Sequence, residues 1–413
     1  MSTEYFDALE TQPPEQRERE LLARLPEQVG HAKTRCPGFA TILAEVEPAA
    51  VTTRAALAAL PVTRKSALIE LQRRDPPFAG LAALAPGALK RIYASPGPIY
   101  DPEGHGADWW RFARALFAAG FRKGDLVHNG FAYHFTPAGA MIESGAHALG
   151  CAVFPGGVGQ TEAQARAIAE LKPAGYAGTP SFLKLIHDKG RELGLDLSSL
   201  GKALVSGEAL PTALRAELAG FGTHVLQCYA SADLGLIAYE SEARDGMILD
   251  EQVILEIVRP GTGDPVPEGE VGEVVITTFN RDYPLIRFAT GDLSAVLPGV
   301  SPCGRTNQRL RGWLGRADQT TKVRGMFVHP AQIAAILKRH PEIVRARLVV
   351  ENPGGADAMT LLCVLSGAGD GELAAAIAHS IQAVCKLRGE LSFIDAAALP
   401  NDGKVIEDRR TLG

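Results

Sequence analysis

Two stretches of this chain set charged and small residues where chemistry on a phosphate or a sugar is feasible. "YPLIRFATGDLS" (283–294) combines Arg287, a glycine and Asp292 at a strand end. An aspartate placed there accepts hydrogen bonds from both hydroxyls of a ribose, and an arginine neutralises phosphate. "LPNDGKVIEDRR" (399–410) carries Lys404 on a glycine turn beside Asp402. Delivered into a cleft by a loop, such a lysine meets the charge developing on a phosphate or carboxylate. The same residues also suit a surface turn with an ion pair and a solvated lysine, so neither stretch assigns a function alone.

A third stretch, "ASPGPIYDPEG" (94–104), follows the short apolar run "RIYA" and has the small residues of a phosphate-cradling loop. Such a loop needs inward-pointing backbone N–H groups. Pro96, Pro98 and Pro102 lack that donor, Asp101 and Glu103 are negative, and no lysine stands among them. On its own residues the stretch reads as a surface turn.

The elements that must position these residues follow a regular pattern. The first eighty residues read as polar-faced helices, with "PPEQREREL" and "VTRKSALIEL" as starts. "DWWRFARALFAAG" then sets Trp109, Phe112, Ala113, Leu116 and Phe117 on one face and stops at Gly120. Strand "DLVHNGF" comes next. A helix with Thr136 as N-cap and Gly150 as stop leads to strand "CAVFP". A helix opened by a Thr161/Gln164 capping box leads to "AGYAG", and two more helices lead to "KALVS" and "HVLQC". Alternating strand and helix predicts a helix-covered, mainly parallel α/β sheet, which binds ligands in the loops after its strands. Those loops are "PGGVGQ" (155–160), "GTPS" (178–181), "SGEAL" (206–210) and "YASAD" (229–233). After residue 250 strands follow one another without helices, which predicts a small β-rich subdomain. The last hundred residues read as a compact α+β domain joined through the glycine- and charge-rich "GWLGRADQTTKVRG".

Bulk properties exclude several classes. The chain has 413 residues, 46% hydrophobic and 22% charged, with net charge −5 and no long basic run, so nothing points to nucleic acid or an acidic membrane. No apolar stretch approaches the roughly 20 residues that cross a bilayer. "MSTEYFDALE" is unlike a signal peptide, and the expected location is the cytoplasm. Six cysteines stand singly, without metal-ligand spacing, and no HxH or HExxH pair occurs.

Taken in order, "SGE", "YASAD", "RFATGD", "GRADQTTKVRG" and the final "PNDGK" resemble the adenylate-forming superfamily, and within it the phenylacetate-CoA ligase family. The resemblance runs nearly the whole chain: "YFDALETQPPEQREREL" and "LPVTRKSALIEL" resemble that family's N-terminal helices, and "CAVFPGG", "GTPSFL" and "SPCGRTN" its middle. It implies an N-terminal domain over 1–316 (helical cover about 1–85, α/β core about 86–250, β-rich part about 251–311) and a mobile C-terminal domain over 317–413. The implied reaction is ATP-dependent: an acyl-adenylate forms, the C-terminal domain rotates, and CoA thiol displaces AMP. Carried over, Ser206, Gly207, Glu208, Tyr229 and Ala230 line the nucleotide. Asp233 stands at the Mg²⁺-associated acid, Asp292 holds the ribose hydroxyls with Arg287 beside it on the nucleotide, Arg316 contacts the ribose or phosphate side, Asp318 is the hinge and Lys404 acts in adenylation. Tyr133, His134, Phe135, Gly156 and Gly157 border the acid, with uncharged aromatic lining that suits an aromatic acid. Core packing is the competing reading of these five. ATP or AMP, Mg²⁺, CoA and a homodimer follow from the resemblance.

The chain also departs from that family. "ASPGPIYDPEG" occupies the place of a Ser/Thr/Gly-rich phosphate loop ending in Gly-Lys. Its lysine is gone and two carboxylates have arrived, each worth about 1–4 kcal/mol against a phosphate about 4 Å away. A grip on triphosphate weakened roughly 10- to 1000-fold is expected, offset if Asp101 or Glu103 turns to Mg²⁺. Ser241, Ile248 and Ser301 stand near places where the family carries zinc ligands and only Cys303 remains, so no zinc is expected. Position 233 is one methylene shorter than the family's glutamate. The alternative function is a divergent homologue with redirected or lost adenylation that binds nucleotide or acyl-CoA.

Overall fold

A computed structural model describes residues 4–95, 98–324, 326–351, 357–400 and 404–410. Two compact units divide the chain, one comprising residues 1–290 and 295–313, the other 291–294 and 314–413; the sequence reading set its join at 316/317.

The first unit holds a nine-stranded sheet. Five strands, Ala152–Phe154, Leu126–Asn129, Gly175–Gly178, Lys202–Val205 and His224–Ser231, lie parallel in that spatial order. They are the five strands expected from the alternating pattern. Burial on both faces explains the small and branched apolar residues of the inner strands Leu126–Asn129, Gly175–Gly178 and Lys202–Val205, whereas Ala152–Phe154 at the sheet edge is part exposed. From His224–Ser231 the sheet continues antiparallel through Gly235–Glu240, Met247–Leu249, Arg309–Leu310 and Val296–Leu297. A smaller sheet orders Thr63–Arg64, Phe288–Ser294, Gly272–Thr278 and Val253–Val258. The β-rich stretch is therefore shared between two sheets, and the N-terminal segment contributes a strand to one of them.

Helix ends follow local chemistry. Gly120 and Gly150 both have positive φ, +92° and +85°, and stop their helices as glycine allows. Two expected starts are corrected. The helix Ala138–Leu149 is preceded by Pro137 rather than capped by Thr136. Thr161 is the first residue of its helix, Gln160 occupies the N-cap, and Gln164 forms no capping box because its side chain is engaged elsewhere.

The second unit packs helices Pro330–Arg339 and Gly371–Cys385 with a four-stranded sheet ordered Glu390–Phe393, Ala358–Leu365, Ile343–Glu351 and Ile406–Asp408. Ile333, Ile336, Leu348, Leu361, Cys363, Ile377 and Ile381 form its core. All six cysteines are free thiols. Among the described residues no helix is long and apolar enough to cross a membrane.

Candidate functional site

Beyond the parallel strands, hydrogen bonds stitch successive loops into one rim. Gly130 N donates to Ala177 O at 2.7 Å, Gly157 N to Asn129 O at 2.9 Å and Ser206 N to Gly178 O at 3.2 Å. Ser206 Oγ donates to Cys228 O at 2.8 Å, tying "SGE" to the strand that delivers Tyr229. Gly207 has φ +84°, and a Cβ there would stand 3.6 Å from Thr179 and 3.7 Å from Phe131. Glu208 Oε1 accepts from Ser181 N at 2.8 Å, at the start of the helix Pro180–Glu192. The Tyr229 hydroxyl donates to Thr290 Oγ1 at 3.1 Å, and the register shifts between Tyr229 and Ala230. Ser206, Gly207, Glu208, Tyr229 and Ala230 thus share one rim, where backbone and small side chains leave polar groups at the strand ends.

Asp233 lies deeper. Its side chain is fully buried, and Oδ2 accepts from Lys65 Nζ. Asp101 meets this group from the hairpin Arg91–Ser95/Ile99–Glu103 and is itself 0% exposed. Burial first, and the Asp233 charge second, hold the Asp101 carboxyl well above the usual carboxylate range. Asp101 Oδ1 and Oδ2, Asp233 Oδ1 and the Tyr283 hydroxyl are buried without hydrogen-bond partners among the described residues. Burial, then the charges of Asp233 and Asp101, push the Tyr283 phenol far up. Orphaned carboxylate and phenol oxygens are hard donors, so their chemistry fits Mg²⁺. Glu103 is already committed: Lys90 lies 2.9 Å away, Arg91 3.1 Å, and the Tyr93 hydroxyl donates to it at 2.9 Å. The stretch read as a turn is mostly hairpin: Ser95 pairs with Ile99 and Tyr93 with Asp101, while 96 and 97 lie outside the described residues.

Arg287 is a correction. Its guanidinium is 2% exposed, and its five N–H bonds are all used. Nε and Nη2 donate to the Glu256 carboxylate at 3.0 Å each, Nη2 also to Gly263 O at 2.7 Å, and Nη1 to Ala58 O at 2.7 Å and Leu60 O at 2.5 Å. A buried arginine needs such a partner set, and this one ties the segment Ala58–Leu60 to the smaller sheet. No donor remains for a nucleotide.

In the second unit, Asp292 and Arg316 are together. They form an isolated antiparallel bridge, and Arg316 Nη1 donates to Asp292 Oδ1 at 3.1 Å. Gly291, with φ +76°, leaves room for that guanidinium, since a Cβ there would stand 2.8 Å from Arg316 Nη2. Asp318 lies in the single 3₁₀ turn Ala317–Gln319 that follows. Lys404 is brought to the same segment: Val405 N donates to Gln319 Oε1 at 2.8 Å, and Lys404 O accepts from Arg347 Nε at 3.1 Å. The Lys404 side chain is exposed. Asp402 lies outside the described residues.

The expected acid wall divides. The Tyr133 hydroxyl donates to Glu143 Oε2 at 2.9 Å and accepts from Asn129 Nδ2 at 2.8 Å. Burial first, then Glu143, push its phenol far up, so it stays neutral. Phe135 is 79% exposed, and His134 is exposed too. Neither belongs to the core. Phe135 O accepts from Ala94 N at 2.8 Å, which pins this segment to the hairpin. Gly156 and Gly157 sit on the rim, and Asn129 joins Gly157 N to Tyr133. Near the expected zinc places, Ser301 Oγ lies 3.1 Å from Cys303 Sγ and Ile248 is buried core. No group of three His, Cys, Asp or Glu able to hold a metal occurs among the described residues.

Sequence reasoning passed over Lys65, His128, Asn129 and Glu256, and gave Gln164 a capping role it does not have. Lys65 carried one available signal: it is a lysine immediately after the strand Thr63–Arg64, which pairs with "RFATGD". His128 and Glu256 act through partners remote in sequence, Gln164 and Arg287, whereas Asn129 reaches Tyr133 four positions away.

Comparison with known proteins shows the family. Residues 131–280 match the family model described as AMP-binding enzyme. The phenylacetate-coenzyme A ligase of Thermus thermophilus is 33% identical over 371 residues, 86% of this chain and 82% of that protein. The Aromatoleum evansii protein of the same name is 31% identical, covering 82% and 80%. Among solved structures, an open conformation of 2-hydroxyisobutyryl-CoA ligase in complex with 2-HIB-AMP and CoA superposes with TM-score 0.85 at 24% identity, over 97% of this chain and 93% of that one. With relatives above 30% identity along most of both chains, this protein belongs to the phenylacetate-CoA ligase family of adenylate-forming enzymes.

Proposed function

We propose that this protein is an ATP-dependent ligase that joins a small carboxylic acid to CoA through an acyl-adenylate. In the first step a carboxylate oxygen attacks the α-phosphorus of ATP, and the bond to the β-phosphate breaks to release pyrophosphate. In the second the CoA sulfur, having lost its proton, attacks the acyl carbon and AMP leaves with the bonding electrons. The observation that carries this reading is the rim on which Ser206–Glu208 and Tyr229–Ala230 converge, in a chain whose relatives bear the ligase name along most of its length. The relatives argue against the alternative of a homologue that has lost adenylation.

Ser206, Gly207, Glu208, Tyr229 and Ala230 would line the nucleotide. Asp292 would take the ribose hydroxyls, where Arg316 already orients its carboxylate. Arg316 would also face phosphate, and Lys404 would offset charge as pyrophosphate leaves. Asp318 would be the hinge of a rotating domain 317–413. Mg²⁺ would be held by Asp233 and Asp101, whose orphaned oxygens support that role, and would supply charge neutralisation to the triphosphate. An aromatic acid, a homodimer and a cytoplasmic location belong to this proposal on the resemblance alone.

ATP–pyrophosphate exchange with a panel of aromatic and short aliphatic acids, with and without CoA, tests the reading. Acid-dependent exchange and a thioester in the mass spectrum are expected. Absence of exchange with every acid at saturating Mg²⁺ would overturn it. Mg²⁺ titration of Asp101→Asn tests the metal assignment: an unchanged Mg²⁺ requirement would remove Asp101 from it.

A further inference from the structure

The loop 155–160 carries Gly156 and Gly157, yet its position comes from elsewhere. Gln164, one turn into the helix Thr161–Leu171, folds its side chain back beneath the loop. Its amide nitrogen donates to Gly159 O at 2.7 Å and Gly157 O at 2.9 Å, with Gly156 O at 3.3 Å. That nitrogen is fully committed as a donor, so the other end of the amide, Oε1, must accept. His128 Nε2 lies 2.7 Å from it, which assigns the ring proton to Nε2. Burial lowers the His128 pKa and keeps the ring neutral at physiological pH. The ring itself is held by the sheet. His128 is in register with Phe154 on one neighbouring strand and Tyr176 on the other. The three rings stack, at 5.2 Å and 6.1 Å between centroids.

Gly156 fits the same device. A Cβ at Gly156 would stand 2.8 Å from both Gln164 Oε1 and His128 Nε2, so only glycine leaves the pair intact. Gly157 N then closes onto Asn129 O, and the Asn129 side chain holds the Tyr133 hydroxyl. A rigid strand thereby fixes both a loop and an aromatic side chain through two amides.

We infer that His128 and Gln164 are a positioning pair that sets the loop 155–160 as one wall of the acid pocket, and so sets which acids the enzyme accepts. The inference rests on the ligase reading for its substrate and on the hydrogen bonds above for its geometry. Neither residue touches the reacting atoms. Their loss moves a wall, which alters the ranking of acids more than the chemistry on ATP.

The test compares the parent protein with Gln164→Leu and Gly156→Ala, using phenylacetate, benzoate and acetate in pyrophosphate exchange. His187→Ala is the control for lost stability. His187 is a comparably buried histidine in the same unit, bonded to Thr223 and stacked on Phe221, away from the loop. Both loop variants are expected to shift the kcat/KM ratio between phenylacetate and acetate about tenfold or more, with KM for ATP within twofold of the parent (~0.4 kcal/mol). The control should leave the ratio unchanged. An unchanged ratio in Gln164→Leu would overturn the inference. If the parent exchanges with no acid, the ligase reading fails, and hydrogen–deuterium exchange over 153–164 still decides the pair. Faster exchange of this segment in Gln164→Leu but not in His187→Ala is expected, and equal exchange would overturn the positioning role.

Discussion

Lys65 Nζ donates to Asp233 Oδ2, so the lysine that follows the strand Thr63–Arg64 reaches the buried carboxylate proposed above to hold Mg²⁺. The hairpin opposite has three positions between its strands and no lysine. Asp101 from that hairpin adds a second carboxyl to the group, and one positive charge is set against two acids. Burial makes two ionised carboxylates side by side costly, which is why Asp101 is driven toward its protonated form.

Stability should record that proton. Asp101 is an acid whose folded pKa is raised, so the stability it contributes is complete below its unfolded value of about 4 and is lost as pH rises through the folded value. Asp101→Asn is neutral at every pH. Its stability should therefore gain on the parent protein progressively above pH ~4 and hold that gain once the parent carboxyl has ionised. Denaturant unfolding over a pH series checks this. A constant offset between the two proteins would mean that Asp101 carries no raised pKa.

Arg287→Lys should damage the fold and spare the nucleotide. One ammonium cannot replace five N–H bonds, and the Glu256 carboxylate is left buried with a poorer partner. A loss of about 3–5 kcal/mol is expected, measured by denaturant unfolding. The folded fraction should bind AMP as the parent does. Parental stability with lost AMP affinity would return Arg287 to the nucleotide.

Asp292 is predicted to recognise ribose hydroxyls, and a comparison of ligands isolates that role. Asp292→Asn should weaken AMP binding about 10- to 100-fold, the range for hydrogen bonds to a charged group at about 1.5–3 kcal/mol. Calorimetry with AMP and 2′,3′-dideoxy-AMP is the measurement. The parent should bind the dideoxy nucleotide much more weakly, and the variant should scarcely distinguish the two. A variant that still prefers AMP as strongly as the parent would assign the hydroxyls to another residue.

These contrasts also show what the sequence made legible. The five parallel strands were readable because each is a short, mostly apolar run preceded by a helix, a local pattern that holds even for the part-exposed edge strand Ala152–Phe154. Ordered motifs singled out Asp292 and Arg316 separately, but their pairing came only with the structure, since the motif order set Arg287 beside Asp292 instead. Arg287 misled because a motif places a residue along the chain but does not say which way its side chain points; Glu256, Gly263 and Ala58, its partners, are remote in sequence. Gln164 misled for a related reason. Its spacing from Thr161 fits a capping box, and the competing partner, His128, is supplied by a strand 36 positions away. Asp233 and Asp101 were each considered for Mg²⁺ from the sequence, but that they meet was illegible because they come from a loop and a distant hairpin, and burial decides their charge.

Lys404→Ala is predicted to separate chemistry from binding. It is exposed, and its neighbour Val405 is tied to Gln319, so the side chain can be removed while the segment keeps its anchor. Removing a cation that acts as pyrophosphate departs should lower acid-dependent exchange about 10²- to 10³-fold. AMP affinity, proposed above to rest on other residues, should stay within about threefold (~0.7 kcal/mol). Conversion of a supplied acyl-adenylate and CoA to thioester should also survive, because that step forms no pyrophosphate. Exchange and thioester formation measured on Lys404→Ala give the decision. Unchanged exchange would remove Lys404 from adenylation, whereas loss of both half-reactions together would mean that it orders the second unit rather than serving the first step.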